Sequence, residues 1–563
     1  MIKIKINNKE YTCEEGKTIL EVARENNIFI PTLCYLKNVC EESNCRICMV
    51  EMADTGRLVT SCSTKVSDGM SVYTDSEKVY NSRKNTLKLI RTNHVCDCSC
   101  PKDGECDLQN LFHDYDVKAP TNNYEVKHYA KDTSSACIVR DNEKCILCGR
   151  CVSVCANTQE VHALTKQQRG FDTFVGCAYN TTLDKSTCIG CGQCTLVCPT
   201  GALTETSEIE QVKKAIRDPN KIVFAQIAPA VRVSIAEAFG NPIGTFDENK
   251  MVQALRMLGF DKVFDVNIGA DFTVLEEGAE LIERIQKKEN LPLFSSCCPG
   301  WFKFLQTQYP EFDKHLSSCK SPTEMLGALV KNYYAEKEGL DKENIVVVDI
   351  MPCTGKKQER HRAKDVDYVI TTRELAKMIK SAHIDYNNLE GEQFDSPLSN
   401  YSGAGLIFGV TGGVTEAVLR HASALLDGKN SKVDFTETRL EKGRKEVEVT
   451  CGDIKLHLCI VSGLGNAKEV MEEIKAGTSN YDFVEVMACP GGCINGGGQN
   501  YVDYSKIDVD TVKRLRAEAI YNHDRNLTLR ISKDNVDMQK VYEEYLGKDK
   551  KRTHELLHWR HED

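Results

Sequence analysis

The chain has 563 residues, a formal net charge of −10 at pH 7, and 41% hydrophobic against 27% charged residues. This is the composition of a globular protein with room for several domains. The acidic balance argues against a nucleic-acid-binding protein, and no apolar run approaches the ~20 residues of a membrane-spanning helix. The opening sequence MIKIKINNKEY has no apolar core of a secretory signal. We therefore expect a cytoplasmic protein with neither a membrane nor a nucleic-acid partner.

The pattern of residues 2–26 predicts a small β-rich module. Residues 2–6 and 9–13 predict two short strands around Asn7-Asn8, a pair that favours a tight turn. Residues 17–26 then space their apolar side chains as an amphipathic helix does. A loop that carries several cysteines follows this helix.

The next part of the chain is divided by a predicted helix and a predicted linker. Residues 76–92 predict a helix that leads into a cysteine-dense segment at residues 94–106. The polar stretch around Pro120 predicts a linker. Two near-repeats of one short cysteine pattern follow, at residues 145–155 and 188–198, and such internal repetition indicates a duplicated unit.

From Ile222 onward, apolar strand-like runs alternate with amphipathic segments. This alternation over roughly 340 residues predicts an α/β region larger than one small domain. The charged tail from residue 505 predicts further helices. The strand-like runs are 222–229, 345–352, 456–463 and 483–490, and the amphipathic segments include 274–287 and 415–426.

The sequence contains 28 cysteines, 20 of them within residues 1–198. A disulfide scaffold this rich in cysteine would be a short secreted protein, which this chain does not resemble. Clustered thiols in a reducing compartment indicate metal or redox chemistry instead. We therefore expect the cysteine clusters to bind metal.

The first cysteine group has three closely spaced members and a distant fourth. This is the plant-type pattern for a 2Fe–2S cluster, although the spacing is not identical. Zinc is the alternative that four thiolates leave open. We interpret Cys13 and Cys40 as buried thiols outside the group. The expected ligands are Cys34, Cys45, Cys48 and Cys62.

The second group places a histidine before four cysteines. This spacing resembles the His-x3-Cys-x2-Cys-x5-Cys site for a 4Fe–4S cluster in complex I-type large subunits and hydrogenases, and the resemblance implies the ligands His94, Cys98, Cys100 and Cys106. Only one residue separates Cys98 from Cys100, whereas two residues separate the corresponding cysteines of that site. Cys96 is therefore an alternative ligand to Cys98 or to His94.

The third group is a doubled Cys-x2-Cys-x2-Cys-x3-Cys motif, the pattern of a ferredoxin with two 4Fe–4S clusters. In such proteins the fourth cysteine of each motif binds the other cluster. One predicted ligand set is therefore Cys145, Cys148, Cys151 and Cys198, and the other is Cys155, Cys188, Cys191 and Cys194.

Three short cysteine motifs stand far apart in the C-terminal region, each at the end of a strand-like run. Ligands gathered from strand ends are how an α/β scaffold builds a buried site. From the residues alone, this predicts a further cubane or another metal site on Cys298, Cys353, Cys489 and Cys493. The motifs are SSCCPG at 295–300, MPCTGKK at 351–357 and EVMACPGGC at 485–493.

These three motifs together resemble the signatures of the iron-iron (FeFe) hydrogenases, and the order of the N-terminal cysteine groups is similar as well. The resemblance implies an enzyme that interconverts H2 with protons and electrons. It implies a 4Fe–4S cubane on Cys298, Cys353, Cys489 and Cys493. Cys493 would also bridge to a diiron centre with CO, CN⁻ and dithiolate ligands, and the two parts form the H-cluster. One 2Fe–2S and three accessory 4Fe–4S clusters would carry electrons.

The resemblance also implies roles for residues that are not ligands. Cys297 would pass protons to and from the cofactor, and Lys356 would anchor a cyanide ligand by a charge-assisted hydrogen bond. Glu277, Glu280 and Arg284 share one predicted helix face, although a solvated face with an ion pair is the plainer reading of that spacing. The remaining proton path would use Glu277, Ser317, Glu280 and Arg284, and the cofactor pocket would be lined by Met351, Met487, Pro229 and Pro322.

The resulting fold class is multidomain α/β and α+β. We expect a β-grasp 2Fe–2S domain at residues 1–78 and a small His-Cys cluster domain at 79–125. A ferredoxin-like domain for two 4Fe–4S clusters should occupy 126–208, and a large α/β H-cluster domain 209–563.

Two alternatives remain open from the sequence. A non-catalytic electron-transfer subunit would suit residues 1–198 equally well, because they also resemble a complex I-type large subunit. The catalytic subunit of an NAD-linked complex would change the partner and keep the chemistry, and Ala230 and Pro490 resemble that group. The expected partners are H2 and protons, ferredoxin or a similar electron carrier, and the maturation enzymes on which the family depends.

Overall fold

The computed structural model describes residues 1–94, 96, 100–121, 125–426, 432–439, 443–451 and 454–559. Its N-terminal part is a five-stranded mixed sheet in the order β2-β1-β5-β3-β4, with one helix packed against it. The elements are β1 (Ile2–Ile6), β2 (Lys9–Cys13), α1 (Ile19–Glu25), β3 (Met49–Met52), β4 (Leu58–Thr60) and β5 (Met70–Tyr73).

Local chemistry explains the first three elements. Asn7 and Asn8 adopt left-handed φ angles of 51° and 68°, which a two-residue turn between antiparallel strands requires. Thr18 and Glu21 form a reciprocal capping box that begins α1. The two predicted strands and the predicted helix are thereby confirmed.

A helical segment and a two-repeat region follow. In each repeat a glycine with left-handed φ precedes a short helix that carries a cysteine: Gly149 (88°) before α4 and Gly192 (69°) before α5. The predicted helix at 76–92 is confirmed. The elements are α2 (Glu77–Thr92), α3 (Asp107–Asp114), β6 (Ile138–Arg140), α4 (Arg150–Ser153), β7 (Thr165–Gln167), β8 (Phe174–Gly176), α5 (Gln193–Val197) and β9 (Leu203–Glu205).

The C-terminal region is an α/β structure with two four-stranded sheets, as the alternation of patterns predicts. Its strands are β10 (Ile222–Ile227), β11 (Lys262–Asp265), β12 (Leu293–Phe294), β13 (Ile345–Met351), β14 (Tyr368–Thr371), β15 (Arg444–Cys451), β16 (Ile454–Ser462) and β17 (Phe483–Met487). Its helices up to β17 are α6 (Ile209–Arg217), α7 (Asn249–Met257), α8 (Val266–Lys287), α9 (Pro299–Gln308), α10 (Pro322–Leu329), α11 (Ala335–Glu338), α12 (Lys356–Ala363), α13 (Thr372–Ser381), α14 (Gly403–Ile407), α15 (Gly413–Leu426) and α16 (Leu464–Ala476).

The first sheet has the order β11-β10-β13-β14 and is entirely parallel. The second has the order β12-β17-β16-β15, and only its edge strand β15 is antiparallel. Strands buried on both faces read as continuous apolar runs, and all seven residues of β13 are buried. The carboxyl ends of β10, β12, β13 and β17 carry the residues that surround one interior cavity.

The C-terminal tail is helical, as predicted, and folds back onto this region. The backbone of Lys320 donates to the Leu557 carbonyl at 2.8 Å, and Trp559 donates to the Ser318 carbonyl at 2.7 Å. Within the described part of the chain, no helix combines the length and apolar character that a membrane crossing requires. The tail helices are α17 (Val509–Asn526), α18 (Val536–Val541) and α19 (Lys550–Leu557).

Candidate active site and cluster-binding sites

An apolar cavity lies between the two sheets of the C-terminal region. Strand ends and the helix starts that follow them supply its lining, which explains why residues so distant in sequence meet here. The structure brings together every residue that the sequence predicted for this pocket. They are Cys297, Cys298, Cys353, Cys489, Cys493, Lys356, Met351, Met487, Pro229 and Pro322.

Backbone geometry fixes the cysteines of this cavity. Cys298 is the N-cap residue of α9, and the Ala488 backbone donates to its sulfur at 3.5 Å. Gly492, with φ of 93°, lets the loop before Cys493 pass against the Val410 and Thr411 backbone, where a Cβ would stand 2.7 Å from the Thr411 nitrogen. A side chain at Gly492 would therefore displace the Cys493 loop.

The chemistry of these thiols fits a metal cluster. Burial raises the pKa of Cys353 to about 11 and raises the pKa of Cys493 as well. Metal ligation requires thiolates. The ionisation of these buried thiols therefore becomes favourable only when a positively charged group is bound beside them. Among the described residues, no three His, Cys, Asp or Glu side chains lie close enough to hold a single metal ion. Four thiols around one cavity are a donor set that an iron–sulfur cluster can use.

Two smaller cavities lie in the repeat region. Each is lined by three cysteines of one repeat and the fourth cysteine of the other. This is the crossed arrangement that the doubled motif predicts. The first cavity is lined by Cys145, Cys148, Cys151 and Cys198, and the second by Cys155, Cys188, Cys191 and Cys194.

The N-terminal thiols form two close pairs. The sulfurs of Cys48 and Cys62 are 3.2 Å apart, and Cys34 and Cys45 are hydrogen-bonded to each other. Each hydrogen bond lowers the pKa of one thiol of its pair, Cys45 in the first pair and Cys62 in the second. One pair for each iron is the arrangement that a 2Fe–2S cluster needs.

The structure describes the predicted His-Cys site only in part. Cys98 lies outside the described residues. His94 and Cys106 are buried beside Phe112, and the His94 and Phe112 rings are 6.3 Å apart. A Cβ on Gly201 would stand 2.3 Å from the Cys100 sulfur. Cys100 thus approaches the segment that follows Cys198.

A row of acid and hydroxyl groups leads away from Cys297. Burial and the charge of Glu277 raise the pKa of the Cys297 thiol. Glu277 is 2% exposed, and burial together with the charge of Glu280 raises its pKa to about 8. Ser317 hydrogen-bonds to Glu277 and donates to Glu280 Oε2 at 3.0 Å. A protonated Glu277 can therefore donate to Ser317 while Ser317 donates to Glu280.

Arg284 lies at the outer end of this row. Its guanidinium donates to Glu280 Oε1 at 2.5 Å and to the Leu316 carbonyl at 2.9 Å. Further bonds reach the carbonyls of Asn290, Lys314 and His315. The guanidinium therefore orients the Glu280 carboxylate.

Lys356 reaches the cavity from the start of α12. Its ammonium donates to the Cys297 carbonyl at 3.4 Å and forms a buried ion pair with Glu359. Ser321 donates to the Glu359 carboxylate at 3.1 Å. Despite burial, the Glu359 charge and hydrogen bond raise the pKa of Lys356. The lysine therefore presents a positive charge to the cavity.

Sequence reasoning missed several residues that support these sites. Ser318 donates to Glu280 Oε2 and hydrogen-bonds to His558, and Glu359 forms an ion pair with Lys356. The hydroxyl pair in LSSCKSP was visible in the sequence. The pairing of residue 318 with residue 558 was not, because no local pattern encodes a contact across that separation.

Short contacts join the sites in series. Gln193 donates to the Asn495 carbonyl at 2.8 Å, linking the second repeat cavity to the Cys493 loop. Lys102 donates to the Cys198 carbonyl at 2.6 Å, and the Cys40 thiol to the Cys148 carbonyl at 3.8 Å. These hydrogen bonds therefore join the segments that carry the predicted ligands of different sites.

Known protein families match successive parts of the chain. The family described as "Iron only hydrogenase large subunit, C-terminal domain" matches residues 221–497, and "Iron hydrogenase small subunit" matches 510–563. "2Fe-2S iron-sulfur cluster binding domain" matches 1–77, and "4Fe-4S dicluster domain" matches 144–202. "NADH-ubiquinone oxidoreductase-G iron-sulfur binding region" matches 83–120.

Two individual proteins are similar over nearly the whole chain, and a solved structure is similar over part of it. Iron hydrogenase 1 of Clostridium pasteurianum is 41% identical, covering 100% of both chains. NADP-reducing hydrogenase subunit HndD of Solidesulfovibrio fructosivorans is 43% identical, covering 99% of this chain and 98% of its own. The solved structure of apo FeFe-hydrogenase HydA1 from Chlamydomonas reinhardtii has a TM-score of 0.56 and 38% identity, over 63% of this chain and 98% of its own. The first two likenesses include the N-terminal cysteine groups as well as the cavity.

Proposed function

Because this chain belongs to the iron-iron hydrogenases and is itself a hydrogenase, we propose that it forms and consumes H2 at the cavity lined by Cys297 and Cys493. The arrangement of Cys297, Glu277, Ser317 and Glu280 is the observation that carries this proposal. A subunit that only transfers electrons has no use for a buried thiol connected to buried carboxyl groups.

The cavity's donors suit the H-cluster, which supplies the metal site for H2 chemistry when bound. We assign Cys298, Cys353, Cys489 and Cys493 as its thiolate ligands. Lys356 would neutralise negative charge on the bound group through a charge-assisted hydrogen bond. Met351, Met487, Pro229 and Pro322 would exclude water, which strengthens that electrostatic interaction. The pocket thus offers one cationic donor in an apolar lining.

The chain's own residues would move the proton. The Cys297 thiol faces the cavity and exchanges a proton with Glu277. With a pKa raised to about 8, Glu277 can both hold and release a proton near neutral pH. Ser317 passes it to Glu280 by donating its own proton while accepting another. Arg284 keeps the Glu280 carboxylate in place.

The N-terminal part would carry electrons through four accessory clusters. We assign the crossed cysteine sets of the two repeat cavities to two 4Fe–4S clusters and the N-terminal pairs to a 2Fe–2S cluster. His94, Cys98, Cys100 and Cys106 would hold the remaining 4Fe–4S cluster. This corresponds to a β-grasp domain at 1–78, a His-Cys domain at 79–125, a ferredoxin-like domain at 126–208 and the H-cluster domain at 209–563.

We propose ferredoxin or a similar iron–sulfur protein as the electron partner in the cytoplasm. The name of the HndD relative makes an NADP-linked complex the second candidate. Purified enzyme supplied with H2 should reduce ferredoxin directly. Reduction of NAD⁺ or NADP⁺ only after further subunits are added, with no rate on ferredoxin, would favour the second candidate.

Infrared spectroscopy of protein produced anaerobically with its maturation enzymes tests the central assignment. Sharp bands of metal-bound CO and CN⁻ are expected. A spectrum without them, from protein that is otherwise full of iron and sulfide, would favour an electron-transfer subunit.

A further inference from the structure

A lysine of α9 lies over the ligand loop of the second repeat cavity. Lys303 follows Gly300 by one turn of α9, so the two residues share one face of that helix. A Cβ on Gly300 would stand 3.7 Å from the Cys191 Cβ and 3.7 Å from the Ile189 side chain. The face of α9 that carries Lys303 therefore packs against residues 188–191.

A glutamine side chain connects this lysine to the loop. The ammonium of Lys303 donates to Gln358 Oε1 at 3.2 Å, and the Cys137 thiol donates to the same oxygen at 3.9 Å. A Cβ on Gly190 would stand 3.5 Å from Gln358 Oε1 and 2.6 Å from the Cys137 sulfur. The backbone of Gly190 in turn donates to the Cys188 sulfur at 3.4 Å. Only the Gln358 amide and the Gly190 backbone therefore separate Lys303 from Cys188.

The positive charge of Lys303 is not neutralised by a neighbour. Lys303 is half-buried, and within the described part of the chain no Asp or Glu forms an ion pair with it. Its partner Gln358 is a neutral amide. Burial raises the pKa of Cys188 to about 11, whereas the Gly190 hydrogen bond and the charge of Lys303 oppose that shift. The field of the ammonium therefore reaches the thiols of the second repeat cavity.

This cavity is also the one that adjoins the active site. The Thr354 hydroxyl donates to the Gly190 carbonyl at 2.8 Å. Thr354 directly follows Cys353, which lines the C-terminal cavity. The loop beneath Lys303 thus contacts a segment that carries a proposed ligand of the H-cluster.

We propose that Lys303 stabilises the reduced state of the 4Fe–4S cluster in the second repeat cavity, and so holds an electron beside the active site. This inference rests on the ligand set proposed for that cavity. Reduction by one electron adds negative charge to a cluster whose potential depends on its net charge and surroundings. A fixed positive charge in a half-buried position lowers the free energy of that reduced state.

The electrons come from the enzyme's own reaction. Oxidation of one H2 releases two protons and two electrons, and each electron in turn reduces this cluster before it passes to the first repeat cavity. Lys303 neither binds the cluster nor exchanges a proton in this step. It is a positioning residue that acts through its charge.

A redox titration followed by electron paramagnetic resonance tests the proposal on protein purified anaerobically without the maturation enzymes. We expect Lys303→Gln to lower the midpoint potential of one 4Fe–4S component, with an about tenfold smaller equilibrium constant for reduction, or about 59 mV for one electron. Lys303→Arg keeps the charge and should keep the parent potential. The component that moves should be the one whose signal Cys191→Ser alters. No shift, a shift of another component, or an equal shift in Lys303→Arg overturns the proposal.

A second neutral variant separates charge from hydrogen bonding. Glutamine at position 303 can still donate to Gln358, whereas the side chain of Lys303→Met cannot. Loss of the charge predicts the same lower potential in both variants. A shift in Lys303→Met alone would assign the effect to the hydrogen bond with Gln358 and would contradict the proposal.

Lys166→Gln is the matched control, because Lys166 also lies in the repeat region but forms an ion pair with Glu42 at the surface. It should leave the potential of the second repeat cluster unchanged. An equal shift in this variant would show that the cluster responds to overall charge, and would overturn the proposal. Parent protein that lacks this 4Fe–4S component altogether would contradict the proposed ligand set instead.

Discussion

Gly497, in the loop after Cys493, lies against the backbone of Gly192, which precedes α5 and Cys194. A Cβ built on Gly497 would stand 2.5 Å from the Gly192 Cα and 2.3 Å from the Cys191 carbonyl oxygen. Two glycines are needed because any side chain here would push the two backbones apart. This contact keeps the second repeat cavity beside the C-terminal cavity.

Gly497→Ala should therefore slow electron transfer while leaving the active site able to react with H2. The added methyl group has no room, and the loop must move away from Cys191. We expect H2 oxidation linked to a viologen dye to fall by at least about tenfold, because the distance between cofactors grows. Exchange of H2 with D2O, which needs no external electron acceptor, should remain near the parent rate. Loss of both activities together would show that the cavity itself is disturbed.

Cys297→Ala should retain the cofactor and lose turnover. The thiol faces the cavity beside Glu277 but is not one of the four proposed ligands. Removal of a positioned proton donor typically costs about 100- to 10,000-fold. Infrared bands of bound CO and CN⁻ should be preserved at near-parent intensity. Near-normal turnover in the variant would remove Cys297 from the proton path.

Cys493→Ser should lose the diiron unit and keep the accessory clusters. The hydroxyl is a poor substitute for a thiolate, and Cys493 is the proposed bridge between the two parts of the cofactor. Infrared spectroscopy should show no CO or CN⁻ bands, while electron paramagnetic resonance of the reduced protein still shows iron–sulfur signals. Retained CO and CN⁻ would contradict the proposed ligand set.

Glu277 should make the stability of the protein depend on pH. Burial and the charge of Glu280 raise its pKa from 4.5 to about 8. Its contribution is therefore fully present below about pH 4.5 and is lost as pH rises through about 8, because the unfolded chain ionises first. Relative to Glu277→Gln, the free energy of unfolding should fall by up to about 5 kcal/mol over this range. Urea unfolding of both proteins at several pH values measures the difference, and parallel curves would place the Glu277 pKa near its ordinary value.

The Arg373–Glu205 ion pair should hold the repeat region to the C-terminal region. The pair is 2.8 Å long with side chains 1% and 3% exposed, and Arg373 also donates to the carbonyls of Gly497 and Gln499. Arg373→Met leaves Glu205 buried without its partner, and breaking such a pair costs about 3–5 kcal/mol. We expect thermal unfolding to begin earlier and to split into two steps. Lys3→Met is the matched control, because Lys3 pairs with Glu10 in solvent and its loss should change little.

The sequence alone was sufficient for features that depend on local order. Strand β1, helix α1 and the Asn7-Asn8 turn follow from side-chain periodicity and turn chemistry. Cysteine spacing predicted which thiols share each repeat cavity. Cysteines that are separated by only two or three residues along the chain can converge on one metal cluster in only a few ways. The residues lining the C-terminal cavity followed from a resemblance in three motifs, not from periodicity.

Tertiary structure decided what depends on contacts between distant segments. Only the fold brings His558 into hydrogen-bonding distance of Ser318 and packs Gly497 against Gly192. It also places Glu359 beside Lys356, which faces the cavity. It also decided that Glu277 has a raised pKa, because that shift comes from the burial of a carboxyl group and from Glu280 one turn away. Spacing along the chain encodes neighbours within a few residues, whereas burial and long-range pairing arise only when separate elements pack together.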